Sequence, residues 1–372
     1  MTGTPYHKKS QKQSLVYGGL SAFLFFILLL LLRNTELAAS QIRNGLTLCG
    51  HVIIPSLFPF LVLSELMLLC GIDQSAAKLL HRPMGKLFKL SGSAGCALIL
   101  GGLCGYPVGA RMGASLYDRG EIDRDTLSFL LMFCNNASPA FLIGTVGTLL
   151  WGERWIGFLL FLIQLLSSAL IGICFARKRT VPTIVKTGMD RHTIGLSAFP
   201  LAFVRAVNAM LSVCAYVIFF SAVIGVLDAL PWRGDFASLI KTILFGLFEI
   251  SSGMKSAASL SDPALGFVLS ALFMGWSGLS VHGQIITATA DRGVSYRRYF
   301  FAKALQGLLC AGMATVVCLF FFDRFPAPCT TAILPYETIP PAGVYLSTAF
   351  FLSALFVGFL WKYKMKKYGK FE

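Results

Sequence analysis

The chain has 372 residues, of which 56% are hydrophobic and 13% charged, with a mean hydropathy of +0.72. A water-soluble domain of this length has no surface on which to carry that balance, so lipid is the main solvent and one integral membrane domain is expected. The formal charge of +15 comes from 32 Lys+Arg against 17 Asp+Glu, and because the charges fall between apolar runs they read as topology signals and contacts with anionic lipid headgroups, not as a nucleic-acid footprint.

The N-terminal part, 1–36, carries Lys8, Lys9 and Lys12 ahead of an apolar run from Leu15 to Leu32. It lacks a small-x-small cleavage site and is followed by Arg33-Asn34, so an uncleaved first span is expected. Apolar segments follow at about 46–71, 92–117, 126–150 and 153–176, within a first unit over 37–176. Pro55 and Pro59 predict a kink in the first of these. A basic linker over 177–192 leads to a second unit over 193–322, with apolar segments at about 199–228, 238–260, 264–290 and 298–322. The remainder, 323–372, reads as a proline-rich external loop, a last span at about 343–361 and a Lys-rich tail. Trp151, Trp155, Trp232 and Trp361 sit near span ends and are expected to be interfacial anchors. The ten cysteines show no C-x-x-C pair or metal-ligand spacing and read as small buried hydrophobes, so no metal or cofactor is expected.

The two units resemble each other. Gly102 to Leu116 can be laid without gaps on Gly246 to Leu260, with Gly, Leu, Gly, Ala, Ser and Leu coinciding and Arg111 facing Lys255. Topology gives an independent argument. Lys8, Lys9, Lys12, the linker near Arg177, the loop with Arg292, Arg297 and Arg298, and the C-terminal lysines all belong on the cytoplasmic side. That requires an odd number of crossings between basic loops, yet each unit holds four apolar segments. One segment per unit must therefore enter and leave on the same side. The segments 92–117 and 238–260 have the Gly-, Ser- or Pro-containing centres where a helix can break. An arm such as Ala94 to Cys104 spans only about 15 Å, half of a bilayer core of about 30 Å. The expected fold is all-α: two inverted repeats, each with a re-entrant helical hairpin and a broken helix, plus extra N- and C-terminal spans.

Backbone that leaves its helical hydrogen-bonding pattern must line a cavity or lie inside protein, and in secondary transporters such breaks meet at the substrate site. The hairpin tips Gly105-Tyr106-Pro107 and Glu249-Ile250-Ser251-Ser252 are therefore candidate solute sites. The following segments are interrupted by Asn135-Asn136-Ala137-Ser138-Pro139 and by Ser277-Gly278-Leu279-Ser280, whose amides and hydroxyls form a candidate polar wall. The plainer reading of these residues is helix-to-helix glue. Arg111 and Lys255 are ionisable residues at membrane depth, which favours an anionic solute unless each reaches a headgroup or a distant acid. Glu249 and His282 are candidates for coupling to H+ or Na+, although Glu249 could simply pair with Lys255 and His282 could be a buried, hydrogen-bonded ring. Gly275-Trp276-Ser277-Gly278 matches a G-x-S-G protease pattern, but His282 lies about 140° around a straight helix from Ser277, so no enzyme is expected. Lipid is the expected surroundings and a homo-oligomer is left open.

At Gly105-Tyr106-Pro107-Val108-Gly109-Ala110-Arg111, at Tyr117 and Gly120-Glu121-Ile122, and at Phe133-Cys134-Asn135-Asn136-Ala137-Ser138-Pro139, the chain resembles the sporulation integral membrane proteins of the YlbJ (SpoVV) type. These carry nucleoside-recognition gate domains and are similar to concentrative nucleoside transporters. The likeness covers most of the chain, while the second unit is less distinctive and its site residues rest on the internal match. The resemblance implies a role in endospore formation, a place in the outer forespore membrane of the mother cell, and passage of dipicolinate, a small aromatic dicarboxylate. A nucleoside or other metabolite carrier, or a scaffold for spore-envelope assembly that transports nothing, are the alternatives.

Overall fold

The computed structural model describes residues 5–177, 179 and 198–321. Most of the linker, the loop 323–342 and the span expected at 343–361, with Trp361 and the Lys-rich tail, lie outside the described residues. Those described form helices and no strand.

Helix α1 (Pro5–Arg33) bends by 97° at Asn34 into α2 (Thr35–Leu48). A π-helical turn, Cys49–Ile53, joins α2 to α3 (Ile54–Leu69), and Pro55, with no N–H to give, stands at the start of α3. The apolar run expected from about 46 thus belongs to a longer rod that begins at Thr35. The polar α2 packs on α9 (Ala198–Asp228), where a Cβ on Gly45 would lie 3.1 Å from Ile218 Cα.

Helix α4 (Ile72–Phe88) falls in a stretch whose polarity hides it from a search for apolar runs. Met84 and Phe88 are buried, Leu79 and Leu87 are exposed, and Lys78, Arg82 and Lys86 form a separate exposed stripe. A helix with an apolar stripe beside a basic one suits the membrane interface, and α4 meets α5 at 86°.

Helices α5 (Gly92–Cys104) and α6 (Val108–Asp118) form the first hairpin. Next come α7 (Arg124–Leu131), a break, a π-helical segment Ala140–Leu150, and α8 (Arg154–Ala176). After α9 the same order recurs: a hairpin of α10 (Gly234–Phe248) and α11 (Ile250–Ala258), a broken helix of α12 (Pro263–Trp276) and α13 (Gly278–Ala288), then α14 (Tyr296–Phe321). Among the described residues four stretches are long and apolar enough to cross a membrane, namely α8, α9, α12 with α13, and α14; the bent pairs α1–α2 and α4–α5 would make six.

Ion pairs gather the polar ends of these helices. Arg292, after α13, meets Asp118 at the end of α6 at 2.6 Å. Asp125, at the start of α7, pairs with Arg179 beyond α8 and with Arg298 on α14. Arg119 donates to the Leu68 carbonyl near the end of α3 at 2.9 Å. Asp123 caps α7 by accepting from the Thr126 N–H at 2.7 Å, and a hydrogen bond with the Thr126 side chain, helped by this one, holds its carboxyl below the ordinary value. At the opposite end of the first broken helix, Trp151 packs edge-on against Phe267, and a Cβ on Gly266 of α12 would lie 3.3 Å from the Trp151 ring. The two broken helices therefore run in opposite directions. Trp151 is fully buried between them; the anchor role expected of it is wrong, because its ring fills protein space instead of a headgroup layer.

Candidate functional site: two hairpin tips on two broken helices

Each hairpin tip rests on the break of the following helix. Gly105 ends α5 at φ +86°, where a Cβ would meet Ser138 at 3.1 Å. In the second unit a Cβ on Gly278, at φ +79°, would lie 3.1 Å from the Ile250 nitrogen and 3.2 Å from Glu249 Cα.

The hairpin arms cross through glycine pairs. A Cβ on Gly101 or Gly109 would run into the Cys134 carbonyl, at 2.0 and 2.4 Å. A Cβ on Gly253 would lie 2.1 Å from Gly246 Cα. The gapless alignment lays Gly109 on Gly253, both at the crossing of their hairpins, but lays Gly102 on Gly246, one residue after the crossing glycine Gly101. Gly101, not Gly102, matches Gly246, and the first tip is one residue longer.

The tips are capped differently. Asn135 Oδ1, from the break, accepts from the Ala110 N–H in the first turn of α6 at 2.9 Å. Glu249 caps α11 from within its own tip, one carboxylate oxygen accepting from the Ser251 N–H at 3.0 Å and the other from the Ser252 N–H at 2.8 Å. Its oxygens go to these amides, and among the described residues no ion pair joins it to Lys255.

Helix breaks free backbone groups that must find other partners. At the first break, Gln164 of α8 serves both polar groups of Ala137 at 2.9 Å. Ser168 donates to the Phe133 carbonyl at 2.6 Å, and Asn136 Nδ2 does so at 3.0 Å. Lys303 Nζ, from α14, donates to the Asn135 carbonyl at 3.2 Å and to Gln306 Oε1 at 2.7 Å, and Gln306 Nε2 donates to Asn136 Oδ1 at 3.1 Å. Asn135 and Asn136 are buried and engaged in this network, while Ser138 accepts from the Phe141 N–H at 3.2 Å. Helix α14 comes this close because α12 and α14 touch at glycines: a Cβ on Gly275 would lie 2.6 Å from Gly307 Cα.

At the second break Ser277 sits at φ 83°, buried. Tyr106, beside Pro107 at the first tip, donates to the Met274 carbonyl at 3.2 Å, and its hydroxyl lies 2.9 Å from Ser277 Oγ. Two residues singled out in different units, Tyr106 and Ser277, thus meet. Ser280 is buried in α13. His282 Nδ1 lies 2.7 Å from the Tyr299 hydroxyl, its ring packs edge-on on Trp276, and its Nε2 is buried without a hydrogen-bond partner among the described residues.

Arg111 and Lys255 are not alike in the fold. Arg111 Nη2 lies 2.8 Å from Glu65 Oε1 on α3 and also donates to the Arg205 carbonyl at 3.2 Å; Arg205 approaches the other Glu65 oxygen at 3.7 Å. Lys255 is exposed on α11 with no acid beside it among the described residues. Sequence reasoning missed Glu65 and Lys303. The signal was present, since each is an ionisable residue inside an apolar run.

Apolar helices, a broken-helix core and buried polar contacts where the helices break define an all-helical integral membrane protein. The chain is 26% identical over 327 residues to the sporulation integral membrane protein YlbJ of Bacillus subtilis (strain 168), covering 78% of this chain and 80% of that protein. This supports the YlbJ family and is consistent with a membrane role in sporulation. No protein-family model and no solved structure matches the chain.

Proposed function

We propose that the protein carries a small anionic solute across the membrane by exposing a midplane site alternately to either side. In this reading the units are inverted repeats, α5–α6 and α10–α11 are re-entrant, and both termini are cytoplasmic. The recurrent order of hairpin and broken helix and the opposite run of the two broken helices support it. So do the arm lengths, since 13, 11, 15 and 9 residues are each too short for a core of about 30 Å.

The observation that carries the proposal is the contact of Tyr106 with the break at Ser277, which brings a tip of one unit onto the broken helix of the other. Two broken helices and two tips held together at depth are what a gated solute site requires. Positive charge favours an anion: Glu65 answers one of the two guanidinium groups near it. The resemblance to the YlbJ type points to dipicolinate and the outer forespore membrane. Ser277 and His282 each bond a tyrosine instead of each other, which gives no support to a protease reading.

The test is uptake of labelled dipicolinate by proteoliposomes containing the full chain. Saturable uptake that excess unlabelled dipicolinate blocks and a nucleoside does not is the expected result. Competition by the nucleoside alone would favour a nucleoside carrier. No flux of either, with spores still defective when the protein is missing, would favour a scaffold.

A further inference from the structure

Lys303 is a fully buried cation placed where a helix break leaves a carbonyl without its helical donor. In transporters with broken helices such carbonyls hold the coupling cation. Here the Asn135 carbonyl is taken by Nζ at 3.2 Å, and the second partner, Gln306 Oε1 at 2.7 Å, is neutral. The groups around the lysine are likewise neutral in their ordinary state. Cys134 comes from the break, Cys310 and Tyr299 from α14 itself, His282 from α13 and Tyr106 from the first tip. Helix α8 contributes Gln164, Ser167 and Ser168, and α12 has no titratable side chain. A buried ammonium without a carboxylate is answered only by dipoles, whereas the amine keeps two donors for the same two acceptors at no cost in charge. Lys303 and Tyr299 stand four residues apart on one face of α14, and Tyr299 continues to His282 at 2.7 Å.

We infer that Lys303 is the proton-binding group that couples solute movement to a proton gradient, occupying the position a sodium ion would otherwise take at the first break. The inference rests on the transport reading. In each cycle one proton leaves the ammonium for water on one side of the membrane, and one is regained from the other. The bond from Lys303 to the Asn135 carbonyl is charge-assisted in one form and ordinary in the other, so the grip of α14 on the break changes with the proton.

The experiment uses the full chain in proteoliposomes with the membrane potential clamped and dipicolinate as the probe. With one proton per turnover, a gradient of one pH unit sustains accumulation of up to about tenfold. Wild type is expected to accumulate dipicolinate under an acid-outside gradient and to ignore a sodium gradient. Lys303→Gln, which keeps a polar group there, is expected to exchange dipicolinate in counterflow without a gradient and to lose accumulation. Accumulation by Lys303→Gln equal to wild type, or a wild-type response to sodium and not to pH, would overturn the inference. The wild-type response to sodium and not to pH would overturn the inference even if the variant does not fold. Absence of counterflow in wild type would instead overturn the transport reading.

Discussion

The two helix breaks do the same architectural job with different means. At the first, side chains from α8 and α14 take up the freed carbonyls of Phe133, Asn135 and Ala137, and Asn135 also caps the hairpin that leans on it. At the second, Glu249 caps its hairpin locally, and the Met274 carbonyl depends on Tyr106 from the other unit. The first tip therefore cannot leave its break without stranding the Ala110 N–H, whereas the second tip takes its cap along. What can part at small cost is the junction of Tyr106 with Ser277. A tip anchored at its own break, beside a reversible contact between Tyr106 and Ser277, is the division that alternating exposure needs.

The comparison can be broken at several points. The largest effect is expected at the crossing glycines. Gly101→Ala should cost more than about 3 kcal/mol, because its Cβ meets a backbone carbonyl at 2.0 Å. Gly102→Ala, whose Cβ would only touch Leu165 at 3.7 Å, should melt like wild type. Equal melting of the two variants in detergent would restore the gapless alignment and refute the register described here.

Glu65→Ala comes next. It leaves Arg111, 22% exposed, without its carboxylate; about 2 kcal/mol is expected, below the range for a fully buried pair because water reaches the guanidinium. The same change should tighten dipicolinate binding if Arg111 meets the solute, and Arg111→Ala should weaken it. Lys255→Ala should leave it unaltered, since Lys255 is exposed. Isothermal binding to the purified protein measures all three.

A smaller contrast lies in the caps. Asn135→Ala strands a buried N–H and should cost about 1–3 kcal/mol, whereas Glu249→Ala, at a partly exposed helix end, should cost nearer 1 kcal/mol. Thermal melting in detergent orders them, and the reverse order would remove the distinction between a long-range and a local cap.

The smallest effect concerns Asp123, outside the spans. Its folded carboxyl is held below the ordinary value, so its contribution is complete above that range and is lost as pH falls through the lowered folded value. Asp123→Asn should melt slightly lower than wild type at neutral pH, with the gap closing at the acid end. A gap that widens on acidification would contradict the cap.

Much of the frame was legible in the sequence. The hairpins expected at 92–117 and 238–260 lie close to α5–α6 and α10–α11, because Gly-rich centres in apolar runs carry a local signal. The interruptions near Asn135 and Ser277 were legible for the same reason. What escaped was non-local or polar. Arg111 finds Glu65 46 positions away, Lys303 reaches back 168 positions to Asn135, and no spacing rule connects them. Helices α2 and α4 are amphipathic and lie below the hydropathy that marks a span. The charge similarity of Arg111 and Lys255 concealed a difference in surroundings, one beside a carboxylate and the other exposed.

The most direct test of the central claim, that the contact between the two units belongs to the transport cycle, is the initial rate of dipicolinate counterflow in Tyr106→Phe, Ser277→Ala and the double variant. The account predicts that each single change alters the rate and that the double variant is no worse than the more affected single, because both remove one shared contact. Rates equal to wild type in all three, or effects that multiply as if the residues were independent, would contradict it.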